Sequence, residues 1–248
     1  MRTAGLRGAL FRVRTRGEAL FAPWVFRLVA RRCTTPQKAV ELASNFRFGH
    51  VSLELWQIHS EILGLLNMIR AEAPSSILEI GTAKGGNLFL LARFAGSEAL
   101  VLSVDMPAGR FGGGYGSTQA RLYRAFSRKG QRLALVLGDS HEQSTLEAVT
   151  ATLSGRALDL LFIDGDHTYE GVRRDFEMYS PLVREGGLIV FHDIVPGPDH
   201  LVGGVPRLWQ ELRGDAAAEF VESWEQGGYG IGVLRRAALD LPEAPASS

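Results

Sequence analysis

The stretch Ser76-Ile77-Leu78-Glu79-Ile80-Gly81-Thr82-Ala83-Lys84-Gly85-Gly86-Asn87 constrains this chain more than any other. An apolar run with β-branched residues ends in Glu79-Ile80-Gly81, a loop of small residues follows, and Leu88 to Phe94 reads as a helix. The pattern is strand, glycine turn, helix start. Glycines 81, 85 and 86 let backbone approach a ligand closely, and the N–H groups opening the helix favour a carboxylate or phosphate. In the dinucleotide fingerprint G-x-G-x-x-G the place of Glu79 belongs to a glycine. An anion there repels a pyrophosphate, so NAD or FAD fits poorly and a cationic ligand fits better. Further on, Leu100 to Asp105 is a second strand ending in a carboxylate, the residue type that holds a ribose diol.

Strand, glycine loop, helix, strand and terminal acid together resemble the class I S-adenosylmethionine-dependent methyltransferases. The resemblance implies a cofactor carrying a sulfonium, an amino group and a carboxylate. It places Glu79, Gly81 and Asn87 around the amino-acid end of that cofactor, Asp105 on the ribose, and Asp139 with Ser140 near the adenine. His141 lies in the same loop.

The chain has 248 residues, 46% of them apolar, which suits one α/β domain with a substantial core and argues against disorder. Its net charge is zero but unevenly spread. Residues 1 to 50 hold ten Lys or Arg against Glu18 and Glu41, leaving 17 basic and 25 acidic residues for the remainder. A single cysteine, Cys33, excludes an internal disulfide and a four-thiolate zinc site. That fits a reducing compartment, so a cytoplasmic location is expected, with peripheral contact to a membrane as an addition. The apolar run Ala19 to Ala30 is broken by Arg27 and too short to span a bilayer, and arginines also break any secretory signal.

Residues 1–35 carry eight arginines and one acid, with Leu20, Phe21, Trp24, Val25, Leu28 and Val29 at helical spacing and Pro23 suited to a first helical turn. Such a helix can cover the core, meet a second copy, lie on an anionic membrane or serve as a transit peptide. Residues 1–51 thus read as a basic helical extension. The main domain is expected at 52–236, and the tail 237–248 as disordered. Ser52 to Ala73 predicts one long helix, stopped before Pro74, with Gln57, His59 and Glu61 facing solvent or the substrate. The glycine-rich stretch Met106 to Gly116 reads as a lid or a disordered insertion.

Further strands are expected at Leu133 to Leu137, Leu158 to Asp164 and Leu188 to Phe191, alternating with helices. A hairpin of Glu219 to Ser223 and Gly230 to Leu234 closes the chain. This alternation predicts an α/β fold, a doubly wound, mostly parallel sheet with helices on both faces. The resemblance implies a Rossmann-like sheet of seven strands, the last antiparallel.

Every acid singled out ends a strand: Glu79, Asp105, Asp139, Asp164 and Asp193. Ligands of open parallel sheets bind beyond those ends. Neighbouring strands bring Asp164 close to His192-Asp193, and two carboxylates with an imidazole make a divalent-metal site. This half of the chain also resembles the metal-dependent O-methyltransferases of the catechol and caffeoyl-CoA type. There an Asp ends the fourth strand and Asp-Asn the fifth; here Asp164, His192 and Asp193 take those places. Magnesium or manganese is the expected ion, although His192 is a softer ligand than magnesium prefers. Three residues past Asp164 that family has a lysine base, and here stands His167, whose ordinary pKa suits accepting a hydroxyl proton.

The wording Phe-Ile-Asp-Gly-Asp-His-Thr-Tyr-Glu-Gly-Val-Arg-Arg-Asp, then Gly-Gly-Leu-Ile-Val-Phe-His-Asp, is similar to a bacterial branch containing cephalosporin-hydroxylase-like proteins and rhamnosyl O-methyltransferases. That implies a sugar or natural-product hydroxyl as acceptor. The Asn-Pro-Pro-Tyr type motif of adenine and glutamine N-methyltransferases is absent, and nucleic acid is not an expected partner. The alternatives are a metal-independent methyltransferase using His167 alone and a membrane-associated or scaffold protein that keeps the fold without catalysis. A homo-oligomer is compatible with all of them.

Overall fold

The computed structural model describes residues 3–106 and 114–237, with side chains from residue 17 onward. Most of the glycine-rich stretch read as a lid and the tail from residue 238 lie outside the described residues.

The sheet is built outward from β3 (Ser76–Ile80), buried along its whole length because both its faces and both its edges are covered. On one side β3 pairs in parallel with β4 (Leu100–Asp105), which pairs with β5 (Arg132–Leu137). On the other it pairs in parallel with β6 (Leu158–Ile163), then β7 (Val183–His192). The order β5-β4-β3-β6-β7-β9-β8 is completed by β9 (Ile231–Arg235), antiparallel to β7, and by β8 (Ala218–Phe220), antiparallel to β9. Seven strands, with β9 alone reversed, meet the expectation. The order reverses between β4 and β6 on either side of β3, which is where ligands bind in such sheets.

Alternation along the strands splits the core in two. Ile77, Val101, Phe162 and Val190 face one layer formed by α2 (Pro36–Asn45), α3 (His59–Glu72), α4 (Gly86–Phe94) and α5 (Ser117–Tyr123). Leu78, Val104, Ile163 and Ile189 face the other, formed by α6 (Gln143–Leu153), α7 (Tyr169–Tyr179) and α9 (Val205–Leu212), the last preceded by the short α8 (Asp199–Val202).

Three expectations need correction. The long helix expected from Ser52 starts instead at His59. Before it the chain is extended: Val51–Ser52 form β2, paired with β1 (Arg47–Phe48), and Glu54 bridges to Gly85, its carbonyl accepting from Gly86 N at 3.2 Å. Backbone pairing with the glycine loop outweighs the local helical periodicity. Glu185-Gly186-Gly187 form an irregularity inside β7, whose segment Val183 to Leu188 lies opposite only Leu158 to Leu160 of β6.

Pro23, expected in a first turn, sits well inside α1 (Thr3–Ala30), where it leaves one carbonyl of the helix without its partner. The core-facing residues of α1 also differ from the apolar set read in the sequence. Ala22, Phe26 and Ala30 are buried, while Leu20, Phe21, Trp24, Leu28 and Val29 are exposed. Phe26 sits between Phe46 and Phe89, both ring centroids 5.0 Å away, and Phe126 at 4.9 Å. Residues 22–51 of the basic helical extension cover the core and contribute to it, which is one of the roles its sequence allowed.

Candidate active site at the carboxyl edge of the sheet

The strand register builds the site. Ile80 is level with Val104 and with Ile163, and Ile163 with Phe191. The next residue on each strand is therefore in one row: Gly81, Asp105, Asp164 and His192. The side chains of Asp105, Asp164 and His192 continue the parity of Val101, Phe162 and Val190. They emerge on the α3–α4 side of the sheet.

Gly81 is required by this closeness. Its φ is 88°, and a Cβ there would lie 1.9 Å from the carbonyl oxygen of Asp164. The tightness of the row, not only room for a ligand, selects glycine.

Behind Gly81 lies Glu79, fully buried. Thr82 Oγ1 donates to its Oε2 at 2.8 Å and Asn87 Nδ2 to its Oε1 at 2.9 Å. Burial raises its pKa to about 8 against those two bonds. Glu79 and Asn87 thus brace the glycine loop from below, whereas Gly81, Asp105, Asp139 and Ser140 line the open cleft. Asp105 is buried and accepts from Gly114 N at 3.0 Å; burial raises its pKa too. Across the cleft, Asp139 Oδ1 accepts from His141 N at 2.9 Å, and the Ser140 carbonyl accepts from Tyr179 Oη at 2.8 Å. His141 also lines the cleft, its Nε2 3.3 Å from the buried Asp175 carboxylate.

At the other end of the cleft two acids and two imidazoles converge. Asp164 Oδ1 lies 3.1 Å from His192 Nδ1 and 3.3 Å from His167 Nε2, and Asp193 Oδ2 lies 3.4 Å from His167 Nδ1 and 3.5 Å from His192 Nδ1. In a regular strand His192 and Asp193 would point to opposite faces. Asp193 has φ 62°, a left-handed turn that Asp tolerates better than most residues, and this turn brings both side chains to one place. Tyr229 N donates to Asp193 Oδ1 at 2.9 Å and holds it there.

The electrostatics are mutual. Burial works against the charge on Asp164, and the His192 and His167 imidazoles outweigh it, holding the carboxyl below its usual range. Burial likewise opposes charge on His167, but Asp164 and Asp193 push its pKa up to about 9. His192 moves in the same direction under the same two acids. His167 Nδ1 also meets the Leu201 carbonyl, which fixes that nitrogen as a donor and turns Nε2 toward Asp164.

Ligand-capable atoms of Asp164, His167 and Asp193 all fall within 4.8 Å of one another, a donor set that suits a divalent cation. The imidazole in this group is His167, expected from sequence as a base. His192, expected as the ligand, backs Asp164 through Nδ1, while its Nε2 is buried without a partner.

Gln57 was expected to face solvent or the substrate. It is buried, and its Nε2 donates to Asp164 Oδ2 at 3.1 Å. Glu61, of the same expectation, is buried under the loop after β8, accepting from Gly230 N at 2.9 Å and from Gln226 Nε2 at 2.7 Å. Only His59 of the three is exposed. Trp56, read as one more apolar position of a helix, lines the cleft. Its signal was the extended segment 53–58, which is visible only once the glycine loop is in place.

A sequence profile described as a methyltransferase domain matches residues 78–194. That stretch, from β3 to just beyond the acid–imidazole cluster, is thus similar to a methyltransferase domain. Among solved structures, the O-methyltransferase TomG from Streptomyces achromogenes, in complex with SAM, superposes with a TM-score of 0.51 at 18% identity, over 82% of this chain and 89% of its own. An O-methyltransferase from Bacillus cereus in complex with SAH gives 0.53 at 18% identity, over 84% and 95%. At that identity the likeness is one of fold.

Among curated sequences, the uncharacterized protein R132 of Acanthamoeba polyphaga mimivirus is 28% identical over 168 residues, 65% of this chain and 68% of its own. The uncharacterized protein y4gI of Sinorhizobium fredii is 26% identical over 149 residues, 58% of this chain and 16% of its own. The chain thus matches only a small part of that second relative.

Proposed function

We propose that this protein is an S-adenosylmethionine-dependent O-methyltransferase, assisted by a divalent cation, that acts on a hydroxyl of a small molecule, natural product or sugar. The observation that carries the reading is the single row of Gly81, Asp105 and Asp164 along one cleft. It joins a ribose-type acid and the adenine-side loop Asp139-Ser140 at one end to the acid–imidazole cluster at the other. The cofactor would lie from Asp139 and Ser140 past Asp105 toward Gly81, with its sulfonium methyl directed to the cluster.

Asp164, His167 and Asp193 are the residues that would hold the cation. When bound, such an ion lowers the pKa of a hydroxyl and fixes its oxygen. His192 and Gln57 keep Asp164 oriented. Methyl transfer then needs alignment above all. The hydroxyl gives up its proton, the oxygen takes the methyl group, the carbon–sulfur bond breaks, and a methyl ether and S-adenosylhomocysteine result. Glu79, its oxygens already held by Thr82 and Asn87, sets the shape of the loop around the cofactor's amino-acid end.

A second reading rests on the Leu201 carbonyl, which holds His167 Nδ1 and leaves Nε2 as the nitrogen directed at the cluster. Without a metal that atom can take the hydroxyl proton once it has lost its own, which the two acids delay until pH nears about 9. One lone pair cannot serve both a cation and a proton, so the two readings exclude each other. The acceptor class rests on the resemblance of residues 162–175 and 186–193 to sugar-modifying and natural-product enzymes.

Calorimetric titration with S-adenosylmethionine tests the first step, with NAD as control and Asp105→Ala as the deficient variant. Saturable binding lost in the variant is expected. No binding to a folded protein would move the reading to a scaffold that has kept the fold.

A further inference from the structure

Helix α1 has apolar side chains on two opposite faces. Ala22, Phe26 and Ala30 form the buried one. At about 100° per residue, the opposite face carries Leu20, Phe21, Trp24 and Leu28, which are 61%, 62%, 65% and 49% exposed. A helix apolar all round is ordinarily buried all round. Arg27 and Arg31 alternate with this outward face and Arg32 borders it, all three exposed. Among the described residues, none of the three forms an ion pair.

We propose that this face is a membrane-binding surface, seating α1 in the headgroup region of an anionic bilayer. Leu20, Phe21 and Leu28 would enter the acyl boundary, Trp24 would sit at the interface with its amphipathic ring, and the arginines would extend to lipid phosphates. The charge is complementary to that surface. Residues 1–35 hold eight arginines and one acid. That acid, Glu18, is engaged by His50 at 2.7 Å.

A second copy of the chain is the poorer occupant. A two-fold contact through the same patch brings Arg27 and Arg31 of both copies together with no acid on the face to meet them. The helix lies on the bilayer and does not cross it, since no helix among the described residues is long and apolar enough to span one.

The test is co-sedimentation of the full-length protein with vesicles of phosphatidylcholine alone and of equimolar phosphatidylcholine and phosphatidylglycerol. Binding is expected only to the anionic vesicles, weakening with salt. Arg27→Gln with Arg31→Gln should weaken it about thirtyfold. Leu20→Gln with Trp24→Gln should weaken it at least about tenfold. Thermal unfolding should be unchanged in both double variants, because neither touches the buried face. Retention of folded protein in the supernatant with both vesicle types would overturn the proposal. So would binding that ignores both sets of substitutions, or a concentration-dependent dimer dispersed by Trp24→Gln, which would assign the face to a second copy.

Discussion

Gln57 Nε2 donates to Asp164 Oδ2 across 3.1 Å, joining the extended segment before α3 to the end of β6. The two residues are 107 positions apart, and the bond holds one oxygen of an acid whose other oxygen faces His192 and His167. Gln57 Oε1 is buried without a partner, so the amide is retained at a cost. Gln57→Leu should therefore shift stability by no more than about 1 kcal/mol, since it removes one bond and one orphaned acceptor together. Methyl transfer should fall about tenfold through misalignment of Asp164. Thermal unfolding beside kcat/KM separates the two effects; a large stability loss with intact turnover would make Gln57 a structural residue only.

Glu79 gives a pH signature. Its carboxyl titrates near 4.5 in an ordinary setting and at about 8 in the fold, where burial is the main cause. Between those values the native state binds the extra proton. Stability contributed by this group is thus complete at low pH, falls as pH rises from about 4.5 to about 8, and levels beyond. Glu79→Gln removes the titration and can still accept from one of Thr82 and Asn87. Measured by urea unfolding across that range, the variant should gain on the wild type steadily with pH. A constant difference at all pH values would show that Glu79 ionises normally.

The middle of the sheet was legible because β3, β4, β5 and β6 are each a short apolar run closed by Gly or Asp, a local signal. The same signal exposed the acids at the strand ends, and Asp105, Asp139 and Asp164 do line one cleft. What the sequence concealed depends on distant partners. Residues 53–58 continue the apolar spacing of α3, yet Glu54 pairs with the glycine loop and the Leu53 N–H donates to Phe46. In α1 apolar residues occur all round, so periodicity could not say which face packs, and Phe26 rather than Trp24 turned inward. That His192 and Asp193, neighbours in sequence, reach one cluster turns on the left-handed φ of Asp193, and no spacing rule reports that.

Phe26 tests whether the N-terminal helix belongs to the domain. Surrounded by Phe46, Phe89 and Phe126, its truncation to Ala should cost about 3–5 kcal/mol. Trp24→Ala, two residues away and exposed, should stay within about 0.5 kcal/mol of wild type in the absence of lipid. Denaturant unfolding of both variants should show one cooperative transition. A Phe26→Ala protein that keeps its midpoint, or loses only a separate early transition, would make α1 an appendage.

Metal removal decides between the two mechanisms. If Asp164, His167 and Asp193 hold a cation, a chelator abolishes turnover and added magnesium or manganese restores it. Asp193→Asn is the sharper variant than Ala, because Asn also tolerates the left-handed backbone and its side-chain oxygen can still accept from Tyr229 N. It should leave the melting temperature near wild type while weakening metal activation by about 10–100-fold. Excess metal should then recover part of the rate. In the metal-independent reading the chelator does nothing, and His167→Ala alone removes activity while Asp193→Asn changes it little. Activity that survives chelation and is also retained in His167→Ala would exclude both, leaving cofactor and acceptor alignment as the whole of catalysis here.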